Sequence, residues 1–189
     1  MYVRDGKSRD ETWLREKSET MGLDSTAFQA DEYVIAVEET SNERVGFGRL
    51  RIYGDESTVC ELTSIGVTEP WRGQGVGAHL LERLLTKSGD EGCNAAYLLT
   101  NEPAYPAQFG FAQCPAEDVP EPLPDRRDTK QTVADNEIVA LTIDVDAFEM
   151  PPRLREAFKS ASPAGDGSTA DTDEDFGIDA ETATYKYET

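Results

Sequence analysis

Residues 61–78 read ELTSIGVTEPWRGQGVGA, and this stretch decides the fold because a strand-like run leads into a turn rich in glycine. The helix that follows carries four leucines at the spacing of a helix packed on one face: Leu80, Leu81, Leu84 and Leu85. Glycine lets a ligand approach the backbone, and the first amides of a helix have no partner inside it. The junction therefore predicts a cradle for an anion such as a pyrophosphate. A glycine-rich turn without a ligand is the alternative interpretation.

The strand within this stretch changes phase along its length. Cys60 and Leu62 keep a period of two, whereas Ile65 and Val67 are out of step by one residue. A slip of one residue would turn half of the strand inside out. One inserted residue near Thr63–Ser64 restores a single apolar face, so the sequence predicts a β-bulge there.

Strand-like and helical patterns continue on both sides of the stretch. Upstream, the patterns predict a strand at 1–4, a helix at 8–21, and strands at 32–39 and 45–53. Downstream they predict a buried strand at 95–100, strands at 108–114 and 137–145, and a helix at 152–160. Residues 120–128, rich in proline and charge, are interpreted as a connection between the last two strands.

This order of elements is typical of an α/β (α+β) fold with a mixed central sheet and flanking helices. A length of 189 residues suits one domain, which we assign to residues 1–160. Residues 161–175 consist mainly of Ser, Thr, Gly, Ala and Asp and are predicted to form a flexible acidic linker. Residues 176–189 regain aromatic side chains and are predicted to dock on the body or on a neighbouring chain.

The net charge of the protein is unusually negative. It carries 38 acidic against 18 basic residues, a net charge of −20, and its basic residues comprise 12 Arg but only 6 Lys. Such a surface favours a halophilic protein from a high-salt cytoplasm, because salt screens the self-repulsion. An ordinary acidic protein with an acidic tail is the alternative. A surface without a basic patch argues against nucleic acid and anionic membranes as partners.

Three cysteines, Cys60, Cys93 and Cys114, suggest neither a framework of paired cysteines nor a metal-ligand set. The amino-terminal residues have no apolar leader, and no run approaches the ~20 apolar residues that a bilayer-spanning helix needs. The expectation is therefore a cytoplasmic protein without a metal cofactor.

The run RGQGVG resembles the R/Q-x-x-G-x-G/A signature of the GNAT superfamily of N-acetyltransferases. The resemblance extends upstream through residues 61–67 and downstream to Gly110-Phe111, which is similar to a closing Gly-Phe strand of that family. YLLTNEP and FGF also resemble the branch typified by N-acetylglutamate synthase. In this family the bulged fourth strand separates from the fifth, and the pantetheine of acetyl-CoA lies between them.

The resemblance implies which residues hold acetyl-CoA. The pantetheine is expected on the backbone of Ile65, Gly66 and Val67, with the amide near Val67 polarising the acetyl carbonyl. The pyrophosphate is expected on the turn and the first helical residues: Arg72, Gly73, Gln74, Gly75, Val76, Gly77 and Ala78. Asn101 is expected either to contact the pantetheine or to cap a short helix.

The candidate catalytic residues are Glu61 and Tyr105. Glu61 lies eleven residues before Arg72, a separation at which several family members carry a catalytic carboxylate, so it is the candidate base, directly or through water. An ordinary surface glutamate is the alternative. Many family members place a tyrosine acid where Pro106 stands here, so Tyr105 is a candidate for that role, with packing as its alternative. His79 is interpreted as a helix residue rather than a base.

The sequence thus predicts an enzyme that moves an acetyl group from acetyl-CoA directly to a primary amine of a small molecule or amino acid. An acetyltransferase for protein N-termini or lysines is one alternative. A non-catalytic acyl-CoA sensor, which keeps the cradle but lacks a working acid and base, is another. Dimers are common in the family, so a homodimer is a possible assembly.

Overall fold

The computed structural model describes residues 1–54 and 58–164, which form a mixed β-sheet with flanking helices. Seven strands make a single sheet: β1 (Tyr2–Asp5), β2 (Tyr33–Val37), β3 (Arg44–Tyr53), β4 (Val59–Val67), β5 (Ala95–Thr100), β6 (Ala112–Gln113) and β7 (Val139–Asp144). Their order is β1-β2-β3-β4-β5-β7-β6. All neighbours are antiparallel except β4 and β5, which are parallel and joined through a helix. The predicted fold class is confirmed.

Five helices flank the sheet in the described ranges: α1 (Glu11–Thr20), α2 (Val76–Asp90), α3 (Ala104–Ala107), α4 (Leu123–Gln131) and α5 (Pro152–Ser160). The largest apolar cluster lies between α2 and one sheet face, where the four leucines predicted to pack are all buried. Side chains alternate along a strand, so the neighbouring residues point to the other face. There, α1 and α4 each cover a smaller cluster.

Two element predictions were wrong. Residues 108–114 were predicted as a strand, but only Ala112–Gln113 pair with β7. Residues 120–128 were interpreted as a connection, but α4 begins within them at Leu123. Proline at the first positions of a helix costs no hydrogen bond, so the prolines that suggested a connection are compatible with a helix start.

The expectation that the cysteines form no pair was also wrong. A disulfide joins Cys60 on β4 to Cys93 in the loop before β5, with a Cα–Cα distance of 6.4 Å. Cys60 points toward α2, and the chain returns past it on leaving that helix, so two residues 33 positions apart come together. Disulfides are typical of oxidising compartments, and the cytoplasmic location stays a prediction.

Several expectations lie wholly or partly outside the described residues. The predicted linker is described only at 161–164, and the predicted docking segment at 176–189 is not described. None of the helices in the described part of the chain combines the length and the apolar character that crossing a bilayer needs.

Candidate active site

A gap opens in the middle of the sheet between β4 and β5. The two strands pair only from Cys60↔Ala96 to Leu62↔Leu98. Beyond that point β4 stays paired with β3, and β5 stays paired with β7. The facing edges of β4 and β5 are thus unpaired with each other after Leu62 and Leu98, which leaves backbone groups available to an extended ligand.

The predicted β-bulge is confirmed and lies at the start of this gap. The pairing of β3 with β4 passes from Phe47↔Gly66 to Arg49↔Thr63, so two residues of β4 oppose one of β3. Ser64 has a φ of 50°, a left-handed conformation that is uncommon for a residue with a side chain. Its hydroxyl donates to the Asp24 carbonyl at 2.7 Å, which holds the bulge in place. A β-bulge bends the strand that carries it, and this one coincides with the point at which β4 and β5 cease to pair.

The glycine-rich turn lies between the end of β4 and the start of α2. Gly73 and Gly75 have φ values of 69° and 76°, a left-handed backbone that glycine adopts without strain. Gly75 caps α2, and the first turn of that helix contains no acidic side chain. The helix end therefore presents backbone N–H groups and a positive dipole with no nearby carboxylate in that turn.

Helix α5 packs beside the same turn. A Cβ on Gly75 would collide with the Leu154 carbonyl oxygen, so close packing also requires glycine here. The Phe158 ring stacks on the His79 imidazole with ring centroids 3.8 Å apart. Burial lowers the pKa of His79, although its hydrogen bond to the Gly75 carbonyl opposes this shift. These contacts agree with the interpretation of His79 as a helix residue.

Glu61 lies on β4 just before the gap and is fully enclosed, with 0% of its surface exposed. The Tyr53 hydroxyl donates to its carboxylate at 2.7 Å. Arg126 donates from Nε at 2.5 Å and from Nη2 at 3.2 Å. The Lys130 Nζ lies 3.5 Å from Oε1. Because its side chain is buried and contacts three donor side chains, Glu61 is not the ordinary surface glutamate that the sequence left open.

Asp24 extends this ionic cluster toward solvent. Arg126 donates to its carboxylate at 3.1 Å and Arg51 at 3.4 Å. Burial acts against the charge of Asp24, but hydrogen bonds from Thr26 and Arg126 outweigh it and hold the pKa of Asp24 at about 2. The side chains of Asp24 and Lys130 are each 26% exposed, so solvent reaches the cluster at these two positions.

Glu61 raises the pKa values of Tyr53 and Arg126, the two side chains that donate hydrogen bonds to it. Burial and the adjacent Glu61 charge both raise the pKa of Tyr53. Burial opposes the charge of Arg126, but the hydrogen bond to Glu61 outweighs it, so the pKa of Arg126 is raised. Both groups therefore keep their protons throughout the neutral range.

Tyr105 and Asn101, the other two predicted residues on this side of the gap, are not part of the cluster described above. Tyr105 is buried in α3 and packs edge-to-face on Phe109, with ring centroids 5.2 Å apart. Asn101 follows β5 directly, but the N-cap of α3 is Pro103, which makes no side-chain cap. The capping alternative for Asn101 was therefore wrong.

The sequence analysis did not find Arg126 and Lys130. Both lie on α4, one turn apart, and their spacing of four residues places them on the same helix face. The available signal was PLPDRRDTK at 122–130, in which prolines suited to a helix start precede Arg126, Arg127 and Lys130, residues with good helix propensity. A helix over this run places the Arg126 and Lys130 side chains on one face.

Comparison with known proteins identifies the family. A model of the acetyltransferase (GNAT) family matches residues 3–111. The chain belongs to this family. Its match includes the bulged strand, the strand gap and the glycine-rich turn. A search of curated proteins found no significant match.

Solved structures similar to this acetyltransferase share its fold. N-acetylglutamate synthase from Neisseria gonorrhoeae, complexed with coenzyme A and N-acetyl-glutamate, has a TM-score of 0.61 and 19% identity, covering 76% of this chain but 35% of that one. Rv2747 from Mycobacterium tuberculosis, in complex with CoA and NLQ, has a TM-score of 0.61 and 17% identity, covering 76% of this chain and 99% of that one. The NatC complex bound to Gag peptide and CoA has a TM-score of 0.51 and 12% identity, covering 76% and 97%. This acetyltransferase thus corresponds to only about a third of the Neisseria enzyme.

Within the described residues, no group of three or more His, Cys, Asp or Glu side chains is arranged to hold a metal ion.

Proposed function

We propose that this acetyltransferase moves the acetyl group of acetyl-CoA directly to the primary amine of a small molecule, with amino acids as the preferred class. One observation carries the proposal: the gap after Leu62↔Leu98 lies between a helix-capping glycine turn and an ionic cluster around Glu61. A coenzyme bound at the turn can extend its thioester into the gap and meet an amine from the side of the cluster.

The residues around the turn fit the coenzyme. The backbone amides from Gly73 to Ala78, with Arg72, would hold the pyrophosphate, since glycine leaves the backbone accessible and no acid lies in the first turn of α2. Ile65, Gly66 and Val67 would bind the pantetheine along the unpaired edge of β4, with Asn101 on the opposite side. Acetyl-CoA supplies an activated acyl group when bound. Three proteins of similar fold were solved with CoA, which supports this assignment.

The ionic cluster suits an acceptor that carries both an amine and a carboxylate. The exposed part of Asp24 can attract an ammonium group, and Arg51 can attract a carboxylate. The Neisseria enzyme of similar fold was solved with N-acetyl-glutamate, an acetylated amino acid, and this supports the same class of acceptor.

Glu61 is the proposed base for the attacking amine. It lies one residue before the last β4–β5 pair, at the edge of the gap, so its carboxyl group can accept a proton directly or through water. The amide near Val67 is the proposed donor to the acetyl oxygen. Tyr105 is one proposed acid, although its burial in α3 and the proline beside it also favour the second candidate function, a non-catalytic acyl-CoA sensor.

The test is an assay of free CoA release from acetyl-CoA in molar potassium chloride with a panel of amino acids, other small amines, and peptides with free N-termini. We expect turnover with at least one amino acid. Binding of CoA by calorimetry without turnover by any amine would favour the sensor, and turnover only with peptides would replace the acceptor class.

The variant Arg72→Ala tests the cradle separately. Losing one charge-assisted contact to the pyrophosphate should weaken CoA binding by roughly 10- to 100-fold, the equivalent of about 1.5–3 kcal/mol. Arg9→Ala, which changes an exposed arginine outside the turn, is the matched control and should bind CoA as the wild type does. Equal affinity of the two variants would contradict the assigned cradle.

A further inference from the structure

Lys130 lies where the two central strands part. Its Nζ donates to the Thr63 hydroxyl at 3.1 Å and to the Leu99 carbonyl at 3.5 Å. Thr63 and Leu99 are the first residues after the last pair of β4 with β5, Leu62↔Leu98. One ammonium group thus contacts both strands at the narrow end of the gap, on the sheet face opposite α2.

The helix that carries Lys130 is fixed to the sheet independently of this contact. Leu123, at the start of α4, is fully buried in a cluster with Leu99 and Ile138. Arg126 anchors the middle of α4 to Glu61 and Asp24. Leu123 and Arg126 thus attach α4 to the sheet at two points besides Lys130.

The charged groups around Lys130 act on its proton in opposite directions. Glu61 on β4 and Asp24 in the loop after α1 favour the ammonium form, whereas Arg126 on α4 disfavours it. Tyr53 on β3 reaches the same carboxylate of Glu61 and keeps its own proton. Burial is the largest influence, and it lowers the pKa of Lys130 from its ordinary value. An ammonium with a lowered pKa is a better proton donor than an exposed lysine.

We propose that Lys130 is the catalytic acid that protonates the departing thiolate of coenzyme A. This role rests on the acetyl transfer proposed above and requires, in addition, that the thioester sulfur lies within reach of Lys130 at the narrow end of the gap. It supplies an acid at a site where Pro106 replaces the tyrosine expected from the family resemblance and where Tyr105 is buried in α3.

The proton balance closes within the pair of Glu61 and Lys130. The amine loses one proton to solvent on binding, and its neutral nitrogen then forms a bond to the acetyl carbon and gives a further proton to the Glu61 carboxylate. The C–S bond then breaks, and the thiolate takes a proton from the Lys130 ammonium, which leaves neutral lysine and protonated glutamic acid. Their atoms lie 3.5 Å apart, so the proton passes from Glu61 to Lys130 and restores the starting state. The products are the amide and free CoA, and no other reactant is needed.

The experiment compares Lys130→Met, Lys130→Arg and the control Lys159→Met, which changes an exposed lysine on α5. Steady-state rates are measured across the neutral and alkaline range with the best amine from the panel. We expect both Lys130 variants to lose roughly 100- to 1,000-fold in kcat with little change in KM for acetyl-CoA, as removal of a general acid predicts. Arginine keeps the charge but does not release a proton. The fall in kcat at high pH, where Lys130 loses its proton, should disappear in both variants.

Several outcomes would overturn the role of Lys130 while leaving acetyl transfer intact. One is a wild-type kcat in Lys130→Arg, which would show that charge alone suffices. Another is an alkaline fall of kcat that persists in Lys130→Met while Tyr105→Phe abolishes it. A loss confined to the KM of the amine would instead assign Lys130 to acceptor binding. If the wild type transfers no acetyl group to any amine, the proposed function and the role of Lys130 fail together. Thermal melting of each variant checks that the fold is intact.

Discussion

Asp10 and Glu61 are both carboxylates without exposed surface, and each is held by two basic side chains, yet they lie in very different settings. Asp10 accepts hydrogen bonds from Arg4 at 2.7 Å and Arg44 at 2.8 Å, and from the Lys7 backbone N–H at 3.0 Å. Its partners join β1 and β3 at one end of the sheet. The partners of Glu61 come from β3 and from α4, a helix far along the chain, and they meet at the strand gap.

The difference between the two sites is the type of base. Both side chains that bind Asp10 are arginines, which keep their protons, and the Arg4 hydrogen bond holds the pKa of Asp10 well below its usual range. One of the two basic residues at Glu61 is a lysine whose pKa burial lowers. The ion pairs of Asp10 thus hold the structure together with side chains that keep their protons. At Glu61, by contrast, Lys130 carries a proton that it can release at the gap.

The largest effect expected from this comparison is on the rate of Glu61→Gln. Replacing the proposed base should lower kcat/KM by roughly 100- to 10,000-fold, because the amide does not accept the amine proton. Free CoA release measures the rate. Asp10→Asn is the matched control and should keep the wild-type rate per folded molecule. A wild-type rate in Glu61→Gln would show that Glu61 is not the base and that it does not differ from Asp10 in this respect.

The next effect is on the stability of Asp10→Asn. The change leaves Arg4 and Arg44 without their counter-charge, and breaking a buried ion pair costs about 3–5 kcal/mol. Because both arginines are partly exposed and regain water, we expect a smaller loss than this, about 2–3 kcal/mol in the free energy of unfolding. Urea unfolding at neutral pH measures it. A decrease of less than about 0.5 kcal/mol in the free energy of unfolding would show that the ion pairs of Asp10 do not stabilise the fold.

A smaller, graded effect is expected on the pH dependence of stability. The folded pKa of Asp10 is depressed, so its contribution is fully present above the unfolded value of about 3.9. It is lost as pH falls from there toward the folded value. The difference in unfolding free energy between wild type and Asp10→Asn should therefore shrink as the pH is lowered below about 4. A difference that stays constant down to pH 2 would contradict this assignment.

The smallest effect is expected at an exposed pair. On α5, Lys159 Nζ lies 2.7 Å from Glu156 Oε1, and most of both side chains is exposed to solvent. Exposed pairs contribute about 0.2–1 kcal/mol, so Glu156→Gln should change the free energy of unfolding by less than about 1 kcal/mol. The same urea measurement serves. A change as large as that of Asp10→Asn would mean that burial does not explain the difference between the pairs.

The sequence could predict the central part of the fold because local patterns determine it. Alternation along 59–67 showed the change of phase that became the bulge at Ser64, and the glycine turn followed by four leucines located α2. These features depend on neighbours within a few residues, which a single sequence displays directly.

The partners of Glu61 were harder to predict because they are distant in sequence. Arg126 lies 65 residues beyond Glu61, and only the position of α4 on the sheet brings it near. Pro122 and Pro124 suggested a connection rather than a helix, so the sequence did not indicate where α4 begins. The pairing of Cys60 with Cys93 depends in the same way on where the chain returns after α2. Contacts of this kind follow from the packing of elements, and no spacing in the sequence states them.

The disulfide between Cys60 and Cys93 encloses most of β4, the glycine turn and α2 in a covalent ring. A protease that cuts the chain once anywhere within the ring leaves both products attached to each other. Such nicked protein would migrate as one species on a denaturing gel and separate into two only after a thiol reductant is added. The glycine turn therefore belongs to the one part of the described chain in which a broken peptide bond does not release a fragment.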